Sequence, residues 1–324
     1  MFRALRLAAV LMMLAACERS GARDPFFESR APPGLASRFL APEGWAWGAI
    51  RVGESPVQRY GVASPPGVPR GDVLIVPGYG ETAEVWFETA NDLTDAGLTV
   101  WVLDRAGQGG SGRFVGPRDL GHAPGFEPDV AALEALVTHV IRPAADRPLT
   151  ILAHADGAAV ALLAAERGLP LDRLALSAPR LAAPQARRAG FAAVERTLGL
   201  DRTPPVGWKP WRRDPSAAKS RTHLAAAWQL ANPDLRMSGP SRGWERAFAT
   251  ASAAALKGVA SVRAPVLELG RTSGQDPCPR LPRCRKSAAA AHEAAPHLAD
   301  EPVRREWLAE TVRFALDQPL SAGG

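Results

Sequence analysis

The 324-residue chain has three cysteines, too few for a disulfide-dense scaffold. Its six histidines are dispersed and show no metal-ligand spacing, and neither a metal nor a cofactor is expected. No long Lys/Arg run accompanies the formal charge of +6 and pI of about 9.8, so the sequence does not read as nucleic-acid binding. The apolar run near the N-terminus, LAAVLMMLAA, is too short to span a bilayer. The absence that matters most is a serine, missing from the strand–turn–helix PLTILAHADGAAVALL (148–163) where one would carry chemistry.

What is there is ample for a core. Hydrophobic residues make up 46% of the chain, whose length allows one large α/β domain or two small ones. MFRALR followed by the short apolar run reads as a secretory signal. Leu14-Ala15-Ala16-Cys17 resembles the bacterial lipoprotein signal. That resemblance implies cleavage before Cys17, lipidation of Cys17, and an anchor on a membrane without a span through it. A plain cleaved signal with an incidental cysteine is the alternative. Removing residues 1–16 deletes Arg3 and Arg6 and no acidic residue, so the formal charge falls from +6 to +4. Glu18 rather than Asp follows the cysteine, which by resemblance to enterobacterial sorting leans towards the outer membrane and a periplasm-facing protein. An exported chain meets an oxidising compartment, so Cys278 and Cys284 in CPRLPRC are expected to form a disulfide, the alternative being two free buried thiols. The small loop would add only about 2 kcal/mol.

The strand (Leu149, Ile151, Leu152) runs through Ala153-His154-Ala155-Asp156-Gly157 into an Ala-rich helix. This is the setting of a G-x-S-x-G nucleophile elbow. Residues two before and two after the nucleophile must be small so that strand and helix can approach. With Ala155 at the centre they are Ala153 and Gly157. With Asp156 at the centre they are His154 and Ala158, and the histidine does not fit. Ala155 is therefore the expected nucleophile position, with Asp156 as a carboxylate nucleophile in the slipped register.

Elsewhere the chain reads in order. Residues 18–43 are rich in Pro, Gly and Arg. WAWGAIRV (45–52) and VQRYGVA (57–63) alternate as edge strands. Buried strands are expected at 71–76, 98–104, 171–179 and 264–270. Helices are expected at 84–96, 127–145 and 302–317. In the 127–145 helix, Val130, Leu133, Leu136, Val137 and Val140 would face the sheet. Ser111 has Arg113 two residues ahead, fails the small-neighbour test, and reads as a turn residue.

The ordered set of strand-PGYGE (77–81), LDRAGQGGSGR (103–113), the elbow, LALSAP (174–179) and His292-Glu293 resembles the lysophospholipase and monoglyceride-lipase-like α/β hydrolases, also labelled serine aminopeptidase-like. The match covers about residues 70 to 316. It implies an α/β-hydrolase fold, with a mostly parallel central sheet, helices on both faces and an inserted helical cap. The implied layout is a signal at 1–16, a tether at 17–44, a core at 45–179 and 259–324, and a cap at 180–258. Cap helices are expected near 184–198, 215–231 and 242–258. The resemblance places the triad histidine at His292 and the triad acid at Thr272, where the family has Asp. It places the oxyanion N–H donors at Tyr79 and Asp156.

Serine and acid are thus both absent from their expected positions. In a measured serine protease, losing the serine costs about a millionfold in kcat. The sequence therefore reads as a lysophospholipase-like lipoprotein with catalysis lost, binding a lipid, a lysophospholipid-like ligand or a protein partner. The alternative is an active ester hydrolase using Asp156 with His292.

Overall fold

A computed structural model describes residues 25–117, 119–182, 195–213 and 221–317. Cys17 and the signal lie outside the described residues, as does most of the first expected cap helix.

Ten strands and six α-helices are used below. The strands are β1 (Ala46–Ile50), β2 (Gln58–Ala63), β3 (Asp72–Val76), β4 (Thr99–Leu103), β5 (Leu149–His154), β6 (Arg173–Ser177), β7 (Arg180–Leu181), β8 (Val266–Leu269), β9 (Ser273–Gly274) and β10 (Cys284–Lys286). The helices are α1 (Phe87–Asp95), α2 (Glu127–Ala135), α3 (Gly157–Glu166), α4 (Leu224–Ala231), α5 (Arg242–Gly258) and α6 (Val303–Ala315). Eight strands form one sheet in the order β1-β2-β4-β3-β5-β6-β8-β10. The β1–β2 and β2–β4 pairs are antiparallel and the others parallel. This is the α/β-hydrolase fold that the sequence predicts.

The reason lies in the strand sequences. Every residue of β3 and β5 is buried, as expected for strands covered on both faces. One face packs Leu74, Val76, Ile151 and Leu176 against α2, α3 and α5. The other packs Val73, Ile75, Leu152 and Leu267 against Trp86, α1 and α6. Register pairs Val76 with Ala153 and His154 with Ser177, so the carboxyl ends of the central strands finish together. In open α/β sheets that edge is where ligands bind.

Two expectations need correction. β2 lies between β1 and β4, so only β1 is an edge strand of that pair. Val140 is 38% exposed rather than facing the sheet. After α2 the chain continues as a π-helix, Leu136–Ile141, whose wider turn rotates the later side chains out of phase.

The described part of the 17–44 segment is docked. Phe26 N–H donates to the Gly110 carbonyl at 2.7 Å, and Asn232 bonds both the N–H and the carbonyl of Arg30. Phe39 packs with Phe87, Leu224 and Trp228, joining this segment to the main sheet and to α4. Within residues 180–258, α4 and α5 fall in the second and third stretches expected to be helical. Cys278 and Cys284 are joined by a disulfide.

Candidate active site

β5 ends at His154 and α3 begins at Gly157, so Ala155 and Asp156 alone make the turn. Ala155 sits at φ +47°, a conformation that costs a non-glycine residue on the order of 1 kcal/mol or more. The turn is clamped from β6 and β7: Ala155 N–H donates to Ser177 O at 3.0 Å, and Arg180 N–H donates to Ala155 O at 3.0 Å. A Cβ at Gly157 would lie 2.5 Å from the Val76 carbonyl oxygen, so only glycine lets α3 start this close to β3. The tight turn is centred on Ala155, and its side chain is a methyl group.

Asp156 follows, fully buried. Its Oδ2 accepts from Arg105, and its Oδ1 accepts from Arg180 at 2.8 Å and from Tyr79 N–H at 3.0 Å. Burial pushes the carboxyl pKa up. The Arg105 and Arg180 guanidiniums outweigh that and hold it below the ordinary value. Arg105 is buried over the Phe126 ring and also pairs with Asp129 at 3.2 Å. Arg180 lies against Phe248 of α5.

The loop after β3 spends its N–H groups on side chains. Tyr79 donates to Asp156, Gly80 donates to Gln108 Oε1 at 2.9 Å, and Gly78 donates to Glu81 Oε2 at 2.8 Å. Tyr79 is fixed in turn by its hydroxyl, which donates to Ser238 O at 2.8 Å, and by an edge contact with Trp244 at 4.5 Å.

The remaining sequence-predicted positions stand apart from this group. Thr272 Oγ1 donates to Glu268, which pairs with Lys286 at 3.0 Å. Lys286 also pairs with Asp276 at 2.6 Å. His292 is exposed in the loop between β10 and α6 and makes no hydrogen bond or ion pair among the described residues. Ser111 is buried, its hydroxyl donating to Asp104 O at 2.7 Å and accepting from Arg59 N–H at 2.9 Å, as a turn residue would.

The structure therefore brings Ala155, Asp156 and Tyr79 together and leaves Thr272 and His292 outside their bonds. It also gathers residues that sequence reasoning missed. His297, buried five places beyond His292, stacks on Trp86 at 3.9 Å and meets His154 edge-on at 4.6 Å. Glu81 lies 3.4 Å from His154 and 3.3 Å from His297. Burial pushes His297 down to about 4, so it is neutral at pH 7. Burial alone would raise Glu81, but the flanking imidazoles and the Gly78 N–H hold it down to about 2. Arg105 and Arg180 were also missed. No spacing in the sequence marks any of these partners.

Two cavities lie elsewhere. One of about 410 Å³ sits between Phe126, Leu163 and Ala251, with Arg167 and Arg246 among its lining residues. Another of about 450 Å³ is lined by Trp45, Trp47, Phe87 and Trp228 together with the docked N-terminal segment. Ala155 lines neither.

Solved structures share this architecture at identities that speak for fold alone. A thermostable carboxyl esterase from Bacillus coagulans superposes with a TM-score of 0.61 at 15% identity, over 85% of this chain and 98% of that one. A monoglyceride lipase from Saccharomyces cerevisiae gives 0.59 at 17% identity, over 89% and 98%. In sequence, the chain is 30% identical over 210 residues to lysophospholipase L2 of Escherichia coli K12. That alignment takes in 61% of this chain and 62% of the relative's length. The family model described as serine aminopeptidase S33 matches residues 67–277, from before β3 to the start of the cysteine loop. Motifs, sheet order and both comparisons agree, and the chain belongs to the serine aminopeptidase S33 family of α/β hydrolases.

Proposed function

We propose that this protein is a non-catalytic member of its lysophospholipase-like family, an exported lipoprotein that binds a lipid or lysophospholipid-like ligand at the membrane. One observation carries the reading. The Tyr79 N–H, at the family's oxyanion position, already donates to the Asp156 carboxylate. A tetrahedral intermediate places negative charge at that point and needs a vacant donor there. Here the donor faces an anion of the same sign, held in place by Arg105 and Arg180. Ala155 offers no nucleophile. Asp156 is a poor substitute, because both its oxygens are committed to these partners and it is fully buried.

Binding has two supports. The cavity lined by Trp45, Trp47, Phe87 and Trp228 is the size and polarity of a small apolar site. It is lined in part by Ser29, Ala31 and Leu40, which follow Cys17, the expected lipidation point, in the chain. Among the described residues no helix is long and apolar enough to cross a membrane.

The test is hydrolysis of a short-chain aryl ester and a lysophospholipid by wild type, Asp156→Asn and Ala155→Ser. The expected result is no turnover above buffer in wild type or in Asp156→Asn. Wild-type turnover that Asp156→Asn abolishes would establish the carboxylate mechanism and overturn the proposal. Lipidation is tested by metabolic labelling with a fatty-acid probe. Wild type is expected to label and Cys17→Ser is not.

A further inference from the structure

We propose that Glu81, His154 and His297 bind one divalent transition-metal ion of the zinc class. The three side chains come from separate segments: the loop after β3, the end of β5, and the 3-10 turn Pro296–Leu298 that precedes α6. One ligand atom from each lies within 4.8 Å of the other two.

Proton bookkeeping gives the first argument. His154 Nδ1 lies 3.0 Å from the Ser177 backbone carbonyl oxygen. A carbonyl only accepts, so Nδ1 carries a proton, and a ring holding that one proton turns a bare Nε2 lone pair to the other side. That lone pair faces Glu81 Oε1 at 3.4 Å. Oxygen and nitrogen lone pairs pointed at each other in a buried site repel unless a cation lies between them. His297 adds a third ligand atom facing the same oxygen. Its Nε2 is 3.3 Å from Glu81 Oε1, and neither of its ring nitrogens makes a hydrogen bond although the side chain is fully buried. An imidazole buried without partners is costly to keep, and a metal ion would satisfy it.

Spacing gives the second. Metal–nitrogen and metal–oxygen bonds of about 2.0–2.1 Å in a tetrahedral site set neighbouring donors about 3.3–3.4 Å apart. The two separations from Glu81 Oε1, 3.3 and 3.4 Å, have that value. A hydrogen bond between the same groups would be shorter, near 2.7–2.9 Å.

The outer contacts are those of a metal site as well. The Ser177 carbonyl fixes the tautomer and ring orientation of His154, and the Gly78 N–H holds the second carboxylate oxygen at 2.8 Å, leaving Oε1 as the single ligand atom. Two imidazoles and one carboxylate suit zinc, cobalt, nickel or iron, and not calcium or magnesium, which take oxygen donors. The Glu81 side chain is 16% exposed while the histidines are 4% and 0%, so an ion would enter past Glu81. The site adjoins the elbow: a Cβ at Gly78 would lie 3.0 Å from Ala155 Cβ and 3.4 Å from Glu81 Oε2. A bound ion would tie together the three segments that flank Ala155.

The experiment takes the full chain after chelator treatment and titrates it with Zn²⁺ and, separately, Co²⁺. Bound metal is measured by equilibrium dialysis and stability by thermal denaturation. One equivalent of Zn²⁺ should bind with micromolar or tighter affinity and raise the melting temperature. The Co²⁺ form should show the intense visible absorption of a four-coordinate nitrogen/oxygen site. Glu81→Gln and His297→Gln should each weaken binding at least tenfold. X-ray absorption on the zinc-bound wild type, expected to show two imidazoles, decides the matter without variants should either fail to fold. Absence of binding at millimolar metal would overturn the proposal and leave a proton as the cation between the lone pairs. So would binding that neither folded variant weakens, or a coordination shell without imidazole.

Discussion

Removing the Asp156 carboxylate should destabilise the protein strongly. Arg105 is only 1% exposed and would be left with Asp129 alone, at 3.2 Å. One of its guanidinium nitrogens already lacks a hydrogen bond. Stripping one partner from a buried ion pair costs about 3–5 kcal/mol, because the other charge stays buried. Arg180 is 41% exposed, and its share is on the order of 1 kcal/mol or less after solvent screening. Asp156→Ala should therefore lose about 3–5 kcal/mol, which lowers the melting temperature by roughly 5–8 °C in a domain of this size. Asp156→Asn keeps an acceptor for the Tyr79 N–H and should lose less.

The pH dependence follows from the depressed carboxyl pKa in the folded state. The stabilisation is fully present above the unfolded value of about 4 and is lost as pH falls through the lower folded value. The gap between wild type and Asp156→Asn in thermal denaturation should thus be constant from pH 8 to about 5 and close below about 4. An Asp156→Ala protein melting within 1 °C of wild type at pH 7 would refute this reasoning. It would mean that the carboxylate is free to leave the Tyr79 N–H, and with it would go the main support for a silent site.

Two further changes test how the surrounding elements are held. Ser241 caps α5, its hydroxyl accepting from Trp244 N–H at 3.1 Å while lying 2.8 Å from His122 Nδ1. Ser241→Ala should cost about 1–2 kcal/mol in denaturant unfolding, with no change in m-value. Glu166 is half-buried against the end of α5 near Gly258, with one carboxylate oxygen unpartnered, and burial pushes its pKa up to about 7. A raised acid pKa means that the folded state holds the proton longer than the unfolded state, so this group destabilises as pH rises from about 4.5 to 7. Glu166→Gln should be neutral near pH 4 and stabilise by roughly 1–2 kcal/mol at pH 8, allowing for its solvent-exposed half. Equal melting of the two proteins at pH 8 would count against a buried, strained carboxylate.

Much of the fold was legible because local pattern and tertiary demand coincide. DVLIV, TVWVL and LTILAH are apolar runs too short for helices, and each is a strand buried in the sheet. The requirement for small neighbours used to set the elbow register is steric and local. Gly157 against the Val76 carbonyl and the positive φ of Ala155 are its physical form. Val140 was misplaced because a π-helical turn has the same local composition as an α-helical one, and only packing selects it. The site partners were illegible for a different reason. Arg105 to Asp156, Glu81 to His154 and His154 to His297 are pairings across the sheet edge. Nothing in the spacing of such distant positions encodes which of many charged or imidazole side chains will meet. His292 was reached through resemblance, yet the imidazole that the fold buries beside His154 is His297.

The elbow itself is weak evidence for catalysis, and the structure explains why. Its strained turn does not depend on a serine. The sharp path from β5 to α3 is imposed by the close approach of Gly157 to β3 and by the two hydrogen bonds that clamp Ala155 to β6 and β7. Any small residue at 155 would be forced into the same conformation, so the turn itself does not report whether a nucleophile is present. On the reading proposed above, electrostatics decides function instead. A serine placed at 155 would recover the attacking oxygen but still meet an oxyanion donor occupied by a carboxylate. To use that donor, an intermediate would have to displace Asp156 from two guanidiniums. Several kcal/mol would then be added to the barrier where an active relative gains about 3–4 kcal/mol from each donor. Those terms act in the same direction, so Ala155→Ser alone is expected to leave hydrolysis at the background rate.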